Sequence, residues 1–342
     1  MKATILKGFG GPENLVYEDF DDPKIKEDEV LIRVKACALN RLDLWIRKGQ
    51  RSGINLPHIL GSDVAGEVYQ VGKLVSKFVV GDRVMVSPNI SCGKCYYCLS
   101  GEDNLCPDYS ILGAKLYGGY AEFLKVPEVN LIPLPKDKSF EEAAAFPLTF
   151  LTAWRMLITL AKVKRGDTIL IWGGGSGVGS AAIQIAKLFG ANVITTVGKE
   201  DKILKAKEVG ADYVLNHYKD DIVNEVKRIT KGIGVDIIID HVGEAVWEKS
   251  LLCLRKGGIM VNCGATSGIN GKVDIRRLYW NHIKIFGSTM GTKRELLDAS
   301  KFFFEGKLRP IIYKIFPLKE ASEAHKVMEE SLHFGKIVLK VD

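Results

Sequence analysis

Ile169-Leu170-Ile171-Trp172-Gly173-Gly174-Gly175-Ser176-Gly177-Val178-Gly179 decides the fold. Its first four residues form a short apolar run with no polar alternation, which suits a β-strand buried on both faces. A glycine-rich turn follows, and then a helical stretch over residues 181–189 that Gly190 stops. A dinucleotide site demands this order of strand, turn and helix. Backbone N–H groups at the helix start, with the positive end of the helix dipole, form a site for a pyrophosphate. The register departs from G-x-G-x-x-G at one place. With the last glycine on Gly179, Ser176 stands where the second is expected, and its hydroxyl can donate to a phosphate. Gly174, Ser176, Gly177 and Val178 are therefore the expected cofactor contacts. The alternative is a tight turn with a purely structural role.

Downstream the alternation repeats. Strands are expected at 192–197, 213–215, 235–240, 258–263 and 282–287, and helices at 201–209, 221–230 and 245–254. Alternation at this spacing predicts right-handed βαβ units and a parallel, doubly wound sheet. The second strand ends Thr196-Val197-Gly198-Lys199, with Glu200 and Asp201 expected in the next helix. An acid at the strand end would grip the ribose 2′-hydroxyl of NAD. Gly198 and Lys199 favour NADP(H) instead.

Upstream, residues 30–36 alternate with period two, and 64–68 and 81–86 read as further strands. Ser139 with Glu142 forms a capping-box pattern, and Pro147 should divide the helix it opens. Past residue 291 come two helices (295–304, 320–330) and a last strand, 335–340. That strand pairs most economically with the N-terminal β domain, which makes this domain discontinuous: residues 1–149 and 291–342, around an inserted 150–290.

Cys92-x₂-Cys95-x₂-Cys98-x₇-Cys106 can converge tetrahedrally on zinc, in a lobe of about residues 91–107. Four thiolates leave no position for water, so one closed, structural zinc per chain is expected. Four unliganded thiols, or two disulfides, are the alternatives.

The chain has 342 residues, with 48 Lys+Arg against 41 Asp+Glu, too long for one core and so expected to form two domains. The positive excess is spread without Arg-rich blocks, which excludes a nucleic-acid stripe. No apolar run is long enough to span a membrane, and a cytoplasmic location is expected.

Together these features resemble the medium-chain dehydrogenase/reductase superfamily over nearly the whole chain. The resemblance implies a GroES-like catalytic domain, rich in β structure and completed by C-terminal residues, with a Rossmann domain inserted. Met1-Lys2-Ala3, Gly10-Gly11-Pro12-Glu13, Gly61-Ser62-Asp63-Val64-Ala65-Gly66 and the segment from Phe146 to Trp154 look most like the quinone oxidoreductase branch. The four-cysteine lobe looks like the zinc alcohol dehydrogenases, which carry a second, catalytic zinc. The positions matching that zinc's ligands are Asn40, Ser62 and Leu148, none a good zinc ligand. His58, Asp43 and Asp63 stand near them in sequence.

Without a catalytic metal the easier chemistry is hydride delivery to a quinone or α,β-unsaturated carbonyl, already polarised by its own oxygen. Quinone oxidoreductases carry Asn at the position of Asn40, which implies a side-chain amide aimed at the substrate carbonyl. Trp45 replaces the tyrosine often found five residues later, and Asp43 is expected to be structural. The nicotinamide is expected near Gly264-Ala265 and Ser288-Thr289, with Asn40 and Thr149 facing it. A zinc-type alcohol dehydrogenase and a catalytically inactive nucleotide-binding protein are the competing readings. An open, apolar edge at 282–287 predicts a homodimer, or its doubling to a tetramer.

Overall fold

The computed structural model describes residues 1–341 as two compact units. One comprises Met1–Leu148, Thr292–Phe304 and the chain from Arg309 onward; the other comprises Thr149–Gly291 and Glu305–Leu308.

The second unit is a six-stranded parallel sheet. Its order is Tyr213–Asn216, Asn192–Val197, Thr168–Ile171, Val235–Asp240, Leu254–Asn262, Lys284–Gly287. Strand order reverses between Thr168–Ile171 and Val235–Asp240, where doubly wound sheets open the crevice for a ligand. Thr168–Ile171 lies at this centre because Ile169, Leu170 and Ile171 have no exposed surface. Trp172 follows them inside and satisfies its indole N–H on Ser250 Oγ at 2.8 Å. Each such side chain contributes about 1.5–3 kcal/mol of burial, which fixes the strand and hence the turn that leaves it. Sterics require glycine in the turn. Gly173 adopts φ +63°, and a Cβ on Gly179 would strike the Gly173 carbonyl oxygen.

Lys284–Gly287 is an edge strand, as its sequence predicts. Beside it runs a short helix, Ile275–Trp280, that the sequence did not reveal. Six residues are too few to display a helical period. The legible signal was its N-cap, since Asp274 accepts from Arg277 N. Ile275, Tyr279 and Trp280 on this helix are exposed.

The first unit is mostly antiparallel. Its main sheet runs Leu131–Pro133, Arg83–Val86, Asp63–Val71, Glu29–Ala38, Lys336–Lys340, Ile312–Pro317, with Phe123–Pro127 also paired to Glu29–Ala38. The last strand lies antiparallel to Glu29–Ala38, Val338 opposite Ala38 and Lys340 opposite Ala36. The C-terminus thus returns to the N-terminal sheet. Ile312–Pro317 escaped the sequence reading because its burial does not alternate: only Phe316 is buried. Ser139 caps Phe140–Ala145 through the expected box with Glu142, and Pro147 begins a separate helix, Pro147–Trp154.

Candidate functional site

In the second unit, Ser176 is the N-cap of the helix Gly177–Leu188, its Oγ accepting from Gly179 N at 2.9 Å. The same oxygen lies 3.1 Å from His241 Nε2. The Ser176 oxygen thus caps the helix as an acceptor, a role compatible with donating its O–H to a phosphate. The first-turn N–H groups, including those of Gly177 and Val178, lack intrahelical acceptors and are suited to an anion. Gly174 lies against Thr195, whose Oγ1 leaves no room for a Cβ.

The strand ends that should carry the nicotinamide are tied together. Buried Asp240 accepts through Oδ1 from Val242 N (2.7 Å) and Gly243 N (3.1 Å), and through Oδ2 from Asn262 Nδ2 (2.9 Å). Asn262 Nδ2 also donates to the Gly264 carbonyl, and Ser288 N donates to Asn262 O. This network gathers Gly264-Ala265 and Ser288-Thr289 at the carboxyl edge of adjacent strands. Ser288 Oγ is buried without a partner.

At the end of Asn192–Val197, Lys199 is exposed. Glu200 is the N-cap of the helix Asp201–Glu208, not a member of its first turn as expected, and its carboxylate accepts from Lys219 Nζ (2.8 Å) and Asn216 Nδ2 (3.3 Å). The Lys219 hydrogen bond holds this carboxyl below its ordinary range. A Cβ at Gly198 would lie 2.8 Å from the Tyr218 ring and 3.0 Å from His217 Nε2. Burial lowers the His217 pKa, and the nearby ammonium groups of Lys202 and Lys249 lower it further. Lys199 follows the strand end, and the Glu200 carboxylate beyond it is paired with Lys219.

In the first unit, Cys92, Cys95, Cys98 and Cys106 bring their Sγ atoms within 4.8 Å of one another. A tetrahedron with ~2.3 Å Zn–S arms places sulfurs about 3.8 Å apart, so the cluster fits zinc after a small contraction. All four are free thiols, and Cys92 is lowered to about 6, first by the backbone N–H groups of Lys94 and Cys95. Lys293 anchors the lobe: its backbone N donates to Asp103 Oδ1 (3.0 Å) and its Nζ to Ser91 Oγ (2.9 Å).

The positions expected to replace a catalytic zinc site form a second cluster. Asn40 precedes the helix Arg41–Arg47, and its backbone N donates to Asp43 Oδ2 at 2.7 Å. Asp43 Oδ1 accepts from Gly61 N, and burial raises the Asp43 carboxyl to about 6. Asp43 is structural, as expected. The Asn40 side chain is held between opposite charges: Nδ2 donates to Asp63 Oδ2 (3.0 Å), and Oδ1 accepts from Lys336 Nζ (2.6 Å). Lys336 Nζ also donates to Asp63 Oδ2 and to the Leu39 carbonyl. Asp63 Oδ1 accepts from the backbone N of Leu148. Ser62 Oγ is buried without a partner.

These residues do not fit a catalytic zinc. The only oxygen of the Asn40 side chain faces an ammonium, which occupies the position of positive charge, and Leu148 offers no donor atom. His58, the nearest imidazole in sequence, has its Nε2 on the Gly113 carbonyl. Among the described residues the four cysteines form the only cluster with metal-ligand geometry. Thr149 lies buried on Pro147–Trp154. Lys336 is the residue that sequence reasoning missed. Its signal was a lysine opening the apolar run Ile337-Val338-Leu339 of a strand expected inside a domain.

Comparison with known proteins agrees with this architecture. Residues 26–136 match the alcohol dehydrogenase GroES-like domain, and residues 177–305 match the zinc-binding dehydrogenase family. The chain is 34% identical to an NAD-dependent alcohol dehydrogenase of Sulfolobus acidocaldarius, with all of both chains covered. It is 32% identical to the human quinone oxidoreductase, covering 99% of this chain and 97% of that one. A crystal structure of an NAD-dependent alcohol dehydrogenase superposes with a TM-score of 0.97 at 47% identity, with both chains fully covered. The chain belongs to the medium-chain dehydrogenase/reductase superfamily and is an oxidoreductase of that family. No helix among the described residues is long and apolar enough to cross a membrane.

Elemental analysis of the purified protein should return one zinc per chain, and two would place a metal at the Asn40 cluster after all. Cys95→Ser should lower the melting temperature by several degrees in a thermal scan, because the lobe has little apolar core of its own.

Proposed function

We propose that the protein is an NADP(H)-dependent reductase of quinones or α,β-unsaturated carbonyl compounds, working without a catalytic metal. The observation that carries this reading is the Lys336 ammonium bonded to Asn40 where a zinc ligand would be needed. Crotonyl-CoA carboxylase/reductase of Cereibacter sphaeroides, 31% identical over 95% of this chain and 83% of that one, bears a name of the same reductive kind. The alcohol dehydrogenase reading is supported by the four-cysteine lobe and by relatives' names and is opposed by Asn40, Ser62 and Leu148. A protein that only binds the nucleotide would show no turnover.

When bound, with its pyrophosphate at the glycine turn and its nicotinamide near Gly264-Ala265 and Ser288-Thr289, the reduced cofactor would supply a hydride. Asn40 donates an N–H to the substrate carbonyl oxygen, where negative charge grows as the hydride reaches the conjugated carbon. The enolate, or the hydroquinone monoanion formed from a quinone, then takes one proton from water, and the neutral product is released. Asn40→Ala should lower kcat about tenfold or more with little change in NADPH affinity, while EDTA leaves activity in place. Rapid loss on chelation, with the circular dichroism unchanged, would overturn the metal-free reading.

The preference for NADP(H) is supported by the exposed Lys199 just past the strand end and by Gly198, not an acid, at the position before it. Named relatives include NAD-dependent enzymes, so this assignment separates the chain from them. NADPH should bind at least several-fold more tightly than NADH by fluorescence titration, and Lys199→Asp should erase the difference.

A homodimer completes the proposal, formed by pairing Lys284–Gly287 with its own copy across a two-fold axis. The exposed Tyr279 and Trp280 beside that strand support it, and the partner is expected to be this chain and a small-molecule substrate, with no nucleic acid. Light scattering at micromolar concentration should give twice the chain mass or a multiple of it; a monomer contradicts the pairing.

A further inference from the structure

We infer that Lys336 is a positioning residue that polarises Asn40, supplying from behind the amide the positive charge that a metal supplies in front of it. The inference rests on the proposed reduction of a conjugated carbonyl. Lys336 is 3% exposed, and its three N–H groups are all spoken for, on Leu39 O (2.8 Å), Asn40 Oδ1 (2.6 Å) and Asp63 Oδ2 (2.9 Å). No N–H of Lys336 remains to touch a substrate.

The two neighbours fix the Asn40 amide without ambiguity. An ammonium only donates and a carboxylate only accepts, so Oδ1 must face Lys336 and Nδ2 must face Asp63. One Nδ2–H is used on Asp63 Oδ2. The second has no partner among the described residues and is the hydrogen available to a carbonyl. An amide whose oxygen accepts from an ammonium carries more positive charge on its nitrogen, and hydrogen bonds in such a chain reinforce one another. The burial that makes the ion pair costly also keeps water from screening it.

The effect should grow with the charge that develops on the substrate oxygen. The enolate oxygen of a reduced enone is more basic than the phenolate oxygen of a reduced quinone, so enones depend more on the polarised amide. A scaffold defect would slow both alike.

The test compares wild type with Lys336→Met and with the double variant Asp63→Asn/Lys336→Met. The double variant leaves no buried unpaired charge and so remains measurable if the single one fails to fold. With 2-cyclohexen-1-one, kcat should fall about tenfold or more with KM within about twofold, on the scale of a weakened oxyanion donor. With 1,4-benzoquinone the fall should be less than about threefold. Equal losses on both substrates, or unchanged kcat on the enone, would overturn the inference while leaving the reductase reading intact. A wild type that turns over neither substrate, with NADPH or NADH, would remove the reductase reading and this inference with it. A readout without turnover is the Asn40 side-chain amide resonance, identified by its loss in Asn40→Ala. It should shift in the folded double variant, and an unmoved resonance would show that Lys336 does not act on the amide.

Discussion

The buried pair of Lys336 and Asp63 is the constraint on which the first unit turns. Two charges with side chains 4% and 0% exposed have been taken out of water, and each loses several kcal/mol of hydration. That loss is tolerable only because the polar atoms are fully met. Three acceptors surround the ammonium, and Asp63 receives Lys336, Asn40 and Leu148. Removing one member would strand the other, at a cost of about 3–5 kcal/mol. Four segments distant in sequence, around 40, 63, 148 and 336, are therefore held to one geometry. The amide proposed to meet the substrate is one of the groups so held.

A second buried network braces the first from below. Asp43 is fastened by the backbone of Asn40 and Gly61, and its neighbour Tyr120 contacts His325 through Oη and Nε2 at 3.1 Å. Burial drives the Asp43 and Tyr120 acids up and the His325 base down to about 3, so each is biased towards its neutral form. Gly61 passes between these groups at φ +102°, where a Cβ would lie 2.6 Å from both Cys37 Sγ and the Tyr120 ring. The glycine before Ser62-Asp63 is thus required by packing, and it delivers Asp63 to Lys336.

Local rules made much of this legible. The apolar run at 169–172 and the glycines after it announced a central strand and a helix start because burial and turn sterics are written within eleven residues. The cysteine spacing announced its lobe for the same reason. What stayed hidden was non-local. Asn40 was singled out, but nothing near it in sequence says that its amide is clamped by a carboxylate 23 positions away and an ammonium 296 positions away. Ser176 shows a second role that its place in the turn did not announce: its Oγ accepts from Gly179 N and caps its own helix, a lone-pair role compatible with donating to a phosphate. Ile312–Pro317 was invisible because an edge strand with one buried side chain has no pattern to read.

The place of Lys336–Lys340 in the middle of a sheet has a consequence for how the chain is made. Domains usually fold in the order in which they leave the ribosome. Here the strand Glu29–Ala38, made early, must wait for its neighbour Lys336–Lys340, so the inserted parallel-sheet unit has all its strands before the first unit has its own. Until Lys336 has been made, Asp63 is a carboxylate without its ammonium, and the Ala36–Ala38 end of Glu29–Ala38 lacks the neighbour that covers it, while Phe123–Pro127 covers the other end. Nascent chains of this protein therefore carry an open β-edge at Ala36–Ala38 until Lys336–Lys340 has been made.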